Sequence, residues 1–440
     1  MLKASDLYES AISWIGVDDQ RATRLARACE GPCEKDIKQH QIDNIIGSCL
    51  CRGSNIDSIS ALYRFKKACE GDPDCSQYSS NLSYALMLNS CPEEAERVAR
   101  ELIKKDPNYE DAYVKLSNAL LHQGRYLQAF LTHLKQYEKW PNQSSKMALG
   151  LTALAISDMK DKTSYLKGVE YFSGRTERYA ITPFNLFSGD INNLKGEVVR
   201  LYLEQGLGDC VMFIPYIKRL AEIVDHVAIV STDQDPGIAV YEALNCFPEN
   251  VTLIRKDKAP SLKDDHDVYS LWMFDLLALG LPGEICPPVP RVTNQFGKVG
   301  FCWRGNPKHP NDHFRSMPWE HAKKIIEFYG PRMITLQSKL TEEEYNFITS
   351  HGGIVDPQID NYKGLYDLLL SLKRVITVDT FMSHFAGIAG VPCTVLLAVN
   401  MDWRWGVSSD KTDWYTNHTL LRQSRCGDWG SILDALEITA

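Results

Sequence analysis

Pro73, Pro107 and Pro141 stand 34 residues apart, and twelve residues before each is an alanine: Ala61, Ala95 and Ala129. Leu82 and Leu116 keep the same interval, as do Leu86, Leu120 and Leu154. Self-similarity at this period means a stack of one supersecondary unit, here a pair of helices. A small alanine at a fixed place lets paired helices approach closely, and a proline, lacking an N–H, ends each second helix. The first third of the chain is therefore expected to be a solenoid. Such a stack presents a concave surface to a protein partner or serves as an arm for self-association.

The last clear unit, "AYVKLSNALLHQGRYLQAFLTHLKQYEKWP", places Gly124 at the inter-helix turn and Tyr126 just after it. It resembles the tetratricopeptide repeat. Two units are well formed, one is half visible before Pro73, and a degraded one follows Pro141. Residues 1–40 are helical in pattern but off-period, as a capping unit would be.

A length of 440 residues suggests about three domains. With 44% hydrophobic and 24% charged residues the chain has ample material for cores. The net charge of −8 weighs against a protein that coats nucleic-acid phosphates. The opening stretch "MLKASDLYESAISWIGVDDQ" lacks a signal layout, and no apolar run is long enough to span a bilayer, so a cytoplasmic location is expected. The thirteen cysteines are odd in number and scattered, which reads as reduced thiols. "CEGPC" (Cys29, Cys33) and "CLC" (Cys49, Cys51) raise zinc as an alternative, but paired C-x₂-C knuckles are missing.

From about Lys195 the pattern alternates between strand and helix. "EVVRLYLEQG", "HVAIVST", "VTLIR" and "DVYSLW" read as strands, with a helix over "DCVMFIPYIKRLAEIV". Pro287, Pro288 and Pro290 form a stiff joint. A second alternation begins at "KVGFCWRG" and continues through "RMITLQ", "GIVD", "RVITVD" and "CTVLLA", with helices near 319–329, 341–349, 364–372 and 382–390. Strands separated by helices imply parallel sheets, so two Rossmann-like domains face across a cleft. Ligands bind such sheets at the carboxyl ends of the strands.

Three polar clusters lie at those ends. "EQGLGD" (Glu204 to Asp209) follows the first strand. Gly206 and Gly208 permit a tight turn, and Val211 replaces the third glycine of a dinucleotide fingerprint. Asp209 could also be a simple helix cap. "CWRGNPKHPNDHFRSMP" (302–318) holds Arg304, Lys308 and Arg315 in a rigid loop, suited to phosphate or merely solvated. His309, Asp312 and His313 in the same loop resemble a metal set without a helical frame. In "VDTFMSHFAG", Asp379 and Thr380 end a strand, and Ser383 and His384 begin a helix whose free amides favour an anion, unless Thr380 only caps it.

Taken in order, "GLGD", "WRGNPKHPND", "LQ" at 336–337, "VDT…HFAGIAGVP", "DWRWG", "WY", "LLRQ" and "GDW" resemble bacterial tetratricopeptide-containing glycosyltransferases. These are related to glycosyltransferase family 9, the heptosyltransferases. The resemblance covers roughly 45–435 and implies a GT-B fold, a nucleotide-diphosphate sugar donor, inversion at the anomeric centre and no metal or other cofactor. It implies a helical repeat domain over 1–165, an acceptor-side domain over 166–290 and a donor-side domain over 291–440. Asp209 would be the general base, with Gln205, Gly206 and Gly208 on the acceptor side. Arg304, Asn306, Lys308 and Arg315 would line the diphosphate. Gln337 would approach the nucleoside, and Asp379, Thr380, Ser383 and His384 would hold ribose and pyrophosphate. Phe381, Met382 and Ser383 depart from the small or apolar residues usual in relatives, and Phe381 could narrow the donor pocket. "DQD" (233–235) and "DHD" (265–267) resemble the metal-binding carboxylates of the other glycosyltransferase fold, but read as loop charges in a GT-B chain. The acceptor expected is a glycan, a protein or a modified nucleobase. The alternative is a non-catalytic adaptor, its repeats binding a partner and its GT-B half structural.

Overall fold

The structure is a computed structural model that describes residues 4–29, 37–52, 56–157, 161–178, 186–231, 236–255, 257, 268–279, 297–309, 311–356, 359 and 361–437. Cys33, the prolines at 287, 288 and 290, and the "DQD" and "DHD" stretches lie outside these residues.

The repeat is visible in the helices themselves. Ser58–Gly71, Pro92–Lys105 and Tyr126–Lys139 each end two residues before Pro73, Pro107 and Pro141. Ala61, Ala95 and Ala129 are fully buried. The first helices of the units, on the same period, are Ser76–Leu88, Glu110–Leu121 and Gln143–Ile156. Gly124 makes the turn between paired helices at φ +70°, and the Gly124 and Arg125 amides donate to the Leu121 and Leu120 carbonyls, both at 2.9 Å. One unit earlier Ser90 holds the same place at φ +56°, with the Ser90 and Cys91 amides on Met87 and Leu86. This left-handed helix ending favours glycine, so Ser90 carries backbone strain that Gly124 avoids. Before the period starts, Ala4–Trp14, Asp19–Ala28 and Gln39–Leu50 close around Ala11, Ala22, Ala26 and Ile46.

Two parallel sheets follow. The first has the order β3-β2-β1-β4, with β1 Val198–Tyr202, β2 His226–Val230, β3 Val251–Ile254 and β4 Tyr269–Trp272. The second has the order β10-β9-β8-β5-β6-β7. Its strands are β5 Val299–Cys302, β6 Met333–Thr335, β7 Ile354–Val355, β8 Arg374–Val378, β9 Cys393–Leu397 and β10 His418–Arg422. A helical solenoid followed by this two-sheet layout is the expected fold class. The apolar strand runs read so plainly because parallel strands are covered on both faces. In the second sheet the strand order reverses between β5 and β8, which opens a crevice at their carboxyl ends.

The expected helix after β1 is broken in two, Leu207–Met212 and Ile214–Ala221, because Pro215 has no N–H with which to continue the first. Strand β10 and the helices Pro236–Leu244 and Trp429–Ala435 are additions to the expected elements. One core joins both sheets to the last repeat helices, with Leu154, Phe172, Phe213, Phe274, Phe385, Trp403 and Trp414 among its members. The repeats also grip the second sheet. The Tyr126 hydroxyl donates to the Val399 carbonyl at 2.8 Å and accepts from the Met401 amide at 3.0 Å. Among the described residues, no helix is long and apolar enough to cross a membrane.

Candidate functional site

The carboxyl ends of β1, β5, β8 and β9 converge. At β1 the chain reverses through Gln205, exposed and in the left-handed region at φ +64°. The Gly206 amide then donates to Asp209 Oδ2 at 2.8 Å, which fixes the carboxylate at the start of the short Leu207–Met212 helix. Gly208 is needed for a close approach: a Cβ there would lie 2.8 Å from His384 Cδ2. The first sheet's helix is thereby seated on Phe381–Ile388, the helix that follows β8. This contact brings Asp209 and the Asp379 region to one place.

Between them stands Arg404, in the turn Trp403–Trp405 after β9. Its Nη2 donates to Asp209 Oδ1, and its Nη1 donates to Asp402 Oδ1 at 2.6 Å. Asp402 also accepts from the Arg404 amide at 3.0 Å, capping the turn. The Arg404 and Asp209 side chains are 11% and 12% exposed. Burial raises the Asp209 carboxyl above its usual range, against the pull of Arg404 and the Gly206 amide. Asp402 goes the other way: burial pushes it up, but Arg404 outweighs that and holds it low. Burial and then the Asp402 charge raise Asp379 to about 6, while Arg315, Trp405 and Arg404 oppose the rise. A carboxyl poised near neutrality in a cleft is a mark of a functional site.

The other expected residues fall into two groups. Thr380 and Ser383 build the helix start. Thr380 Oγ1 accepts from the Met382 amide at 3.2 Å, and the buried Ser383 hydroxyl donates to the Thr380 carbonyl at 2.6 Å. His384 is buried, hydrogen-bonded through Nδ1 to the Tyr415 hydroxyl at 3.0 Å and stacked on Trp405 at 5.3 Å. Burial, then Arg404, lower its pKa to about 3, so the ring is neutral and brings no charge to a phosphate. Arg304 is engaged by Glu344 through both terminal nitrogens and donates to the Lys339 carbonyl at 2.9 Å. Gln337 is buried, its Oε1 accepting from the Arg304 amide at 3.0 Å. These two side chains hold the β5 and β6 ends together.

Asn306 and Lys308 are exposed, and Asn306 Oδ1 accepts from the Lys308 amide in a tight turn at 3.0 Å. Arg315 pairs with Asp312 at 3.2 Å and lies across the bare backbone of Gly305, near enough to Asp379 to lower its pKa. The loop's metal-like trio does not converge: Asp312 serves Arg315, His313 bonds the Leu88 carbonyl at 3.0 Å, and His309 Nδ1 accepts from the Asn311 amide at 3.1 Å. Among the described residues, no three His, Cys, Asp or Glu side chains are grouped to hold a metal. Glu204, beside Asp209 in sequence, points into the core, paired with buried Arg175 at 2.8 and 2.9 Å and accepting from the Phe274 amide. Asp402 and Arg404 were missed as site residues, although "DWRWG" stands out in the sequence.

No protein-family model and no curated protein matches the chain. Among solved structures, a mutant of the Thermobaculum terrenum O-GlcNAc transferase is similar over 90% of this chain and 83% of its own, at 12% identity and a TM-score of 0.32. TTC0263, a TPR protein of Thermus thermophilus, is similar over 40% of this chain and 93% of its own, at 13% identity and a TM-score of 0.33. MamA MSR-1 is similar over 40% of this chain and 95% of its own, at 12% identity and a TM-score of 0.29. All three are distant likenesses.

Proposed function

We propose that the chain is an inverting, metal-independent glycosyltransferase that moves a sugar from a nucleotide-diphosphate donor to a hydroxyl acceptor. The observation that carries this reading is the placement of Asp209. A carboxylate from the first sheet faces the start of the Phe381–Ile388 helix of the second, with Arg404 between them. Amides at that helix start attract the donor's diphosphate. Arg315 and Lys308 neutralise the leaving group, and Asp379 receives ribose hydroxyls. Arg304, through Glu344, and Gln337 shape the loop that carries these cations. From the opposite side Asp209 takes the acceptor hydroxyl's proton as oxygen attacks the anomeric carbon, and the bond to diphosphate breaks with its electron pair. Attack opposite the leaving group inverts the centre.

One fact favours the rival reading, a repeat-bearing adaptor without turnover: both Asp209 oxygens already accept hydrogen bonds. The test is a thermal-shift screen over nucleotide sugars, followed by turnover of the best ligand in EDTA. A ligand at 100 times its Kd adds about 2.7 kcal/mol of stability. Binding with donor hydrolysis or transfer in EDTA supports the enzyme. Binding without turnover supports the adaptor, and turnover that needs added metal contradicts the proposed chemistry.

A further inference from the structure

Twelve large apolar side chains are exposed among the described residues, and four of them fall at just two places of the repeat. Ile59 and Leu127 are two periods of 34 residues apart, and so are Tyr63 and Leu131. They are 76%, 62%, 59% and 54% exposed respectively. Ile59 and Tyr63 stand on the second helix of one unit, Ser58–Gly71, and Leu127 and Leu131 on that of another, Tyr126–Lys139. Four residues apart on a helix, each pair forms one ridge on one face. The helix between them, Pro92–Lys105, carries Glu93 and Arg97 at the same two places, both exposed. The three helices are close neighbours. Arg125, just before the last, pairs with Glu96 of the middle one, and Asn89, just before the middle one, donates to the Ser58 carbonyl of the first at 2.7 Å.

A lone exposed apolar residue needs no explanation. Recurrence at fixed repeat positions does. The stack itself does not demand apolar residues there, because the middle unit fills both places with charge. The buried face of each helix is built by other residues, such as Ala61, Phe65 and Ala68 in the first.

We propose that this face is a homodimer interface, on which a second copy of the chain docks by a half turn about an axis crossing the three helices. The helices of the two copies then run antiparallel. Ile59 meets the partner's Tyr63, and Leu127 meets the partner's Leu131. At the centre Glu93 meets the partner's Arg97, and Arg97 the partner's Glu93. A two-fold contact must be self-complementary. This strip is so: two apolar flanks enclose one charge of each sign, four residues apart. The other two-fold choice, with its axis along the helices, sets like charges on each other and is repelled. A different partner of a single charge sign would meet one attractive and one repulsive group at the centre. Arg97 already holds Glu101 at 3.1 Å, but both side chains are more than half exposed, and such a pair is worth little, so Arg97 is shared at small cost. The charged pairs set orientation and register, and the apolar ridges supply the affinity. The patch is smaller than the roughly 20–30 residues a side of a standard interface, so association in the micromolar range is expected.

The test is sedimentation velocity on the full chain from about 1 to 200 µM, with melting temperatures read on the same samples. The wild-type chain should pass from monomer to dimer within that range. Leu127→Asp combined with Leu131→Asp should weaken the dimer at least about tenfold. Arg97→Glu should also weaken it about tenfold, since two carboxylates then face each other. Adding Glu93→Arg to that variant should restore the dimer, because the pair is exchanged but still complementary. All of these positions are exposed, so each variant should melt within about 3 °C of wild type, which separates a lost contact from a lost fold. A wild-type chain that stays monomeric throughout overturns the proposal. So does a dimer that is indifferent to the leucine substitutions, or a charge exchange that associates no better than Arg97→Glu alone.

Discussion

Replacing Arg404 by Met keeps the aliphatic stem and removes the charge between Asp209 and Asp402. In the folded chain those carboxylates share one guanidinium that is 11% exposed. Taking away one partner of a buried pair typically costs about 3–5 kcal/mol. Partial relief by protonation of Asp209 puts the expected loss near the lower end, about 3 kcal/mol. At roughly 2–4 °C per kcal/mol this lowers the melting temperature by about 6–12 °C at neutral pH. The sign of the pH dependence follows from the Asp209 carboxyl. Burial already raises it in the fold, and Arg404 is the largest opposing pull. Without Arg404 it rises further, so the native state keeps a proton that the unfolded chain releases above its ordinary value near about 3.9. The deficit should therefore be small at acid pH and grow as pH rises through that window. Because the base must be ionised to act, the acid limb of the turnover profile should move to higher pH. Arg175→Met, which breaks the buried pair with Glu204, should cost similar stability and leave that limb in place. An Arg404→Met protein that melts within about 2 °C of wild type with an unmoved acid limb would refute the reasoning.

Gly208→Ala should cost about 1–3 kcal/mol in thermal unfolding. The new Cβ would meet His384 Cδ2 at 2.8 Å, and that ring is held by Trp405 and Tyr415; an unchanged melting temperature would contradict the close packing. Nucleotide-sugar affinity should fall as pH rises through about 6, because Asp379 gains charge there and repels the diphosphate. Calorimetry across that range checks it, and Asp379→Asn should flatten the dependence.

The repeat was legible because its signal is local and recurrent: Ala95 and Ala129 are both fully buried, and the helices that carry them both end two residues before Pro107 and Pro141. Strands β5, β8 and β9 were legible because apolar runs between polar turns have few other uses. β10 was less so, since "HTLLR" mixes polar and apolar residues, and its place at the sheet edge is set by pairing with β9. Asp209 and Asp379 stand at strand ends, where chain order alone suggests a ligand. Their environment could not be read that way. Arg404 meets Asp209 from 195 residues away, and Glu344 takes Arg304 from 40. Glu204 and Asp209 look like equal candidates along the chain, yet one is buried against Arg175 and the other is paired with Arg404 from the second sheet's side. Such pairings depend on how the two sheets are set against each other, which no local pattern encodes.

The central claim is that Asp209 is the base. The most direct measurement compares Asp209→Asn with wild type for both nucleotide affinity and turnover. The amide is nearly isosteric but has one acceptor oxygen for two donors, the Gly206 amide and Arg404 Nη2, so the melting temperature should fall; Asp402 still holds Arg404, and the variant should fold with donor affinity kept. General-base catalysis contributes about 10²–10⁴-fold, and turnover should fall by that order. An Asp209→Asn protein that transfers sugar at near the wild-type rate would reduce Asp209 to a helix cap and contradict the account.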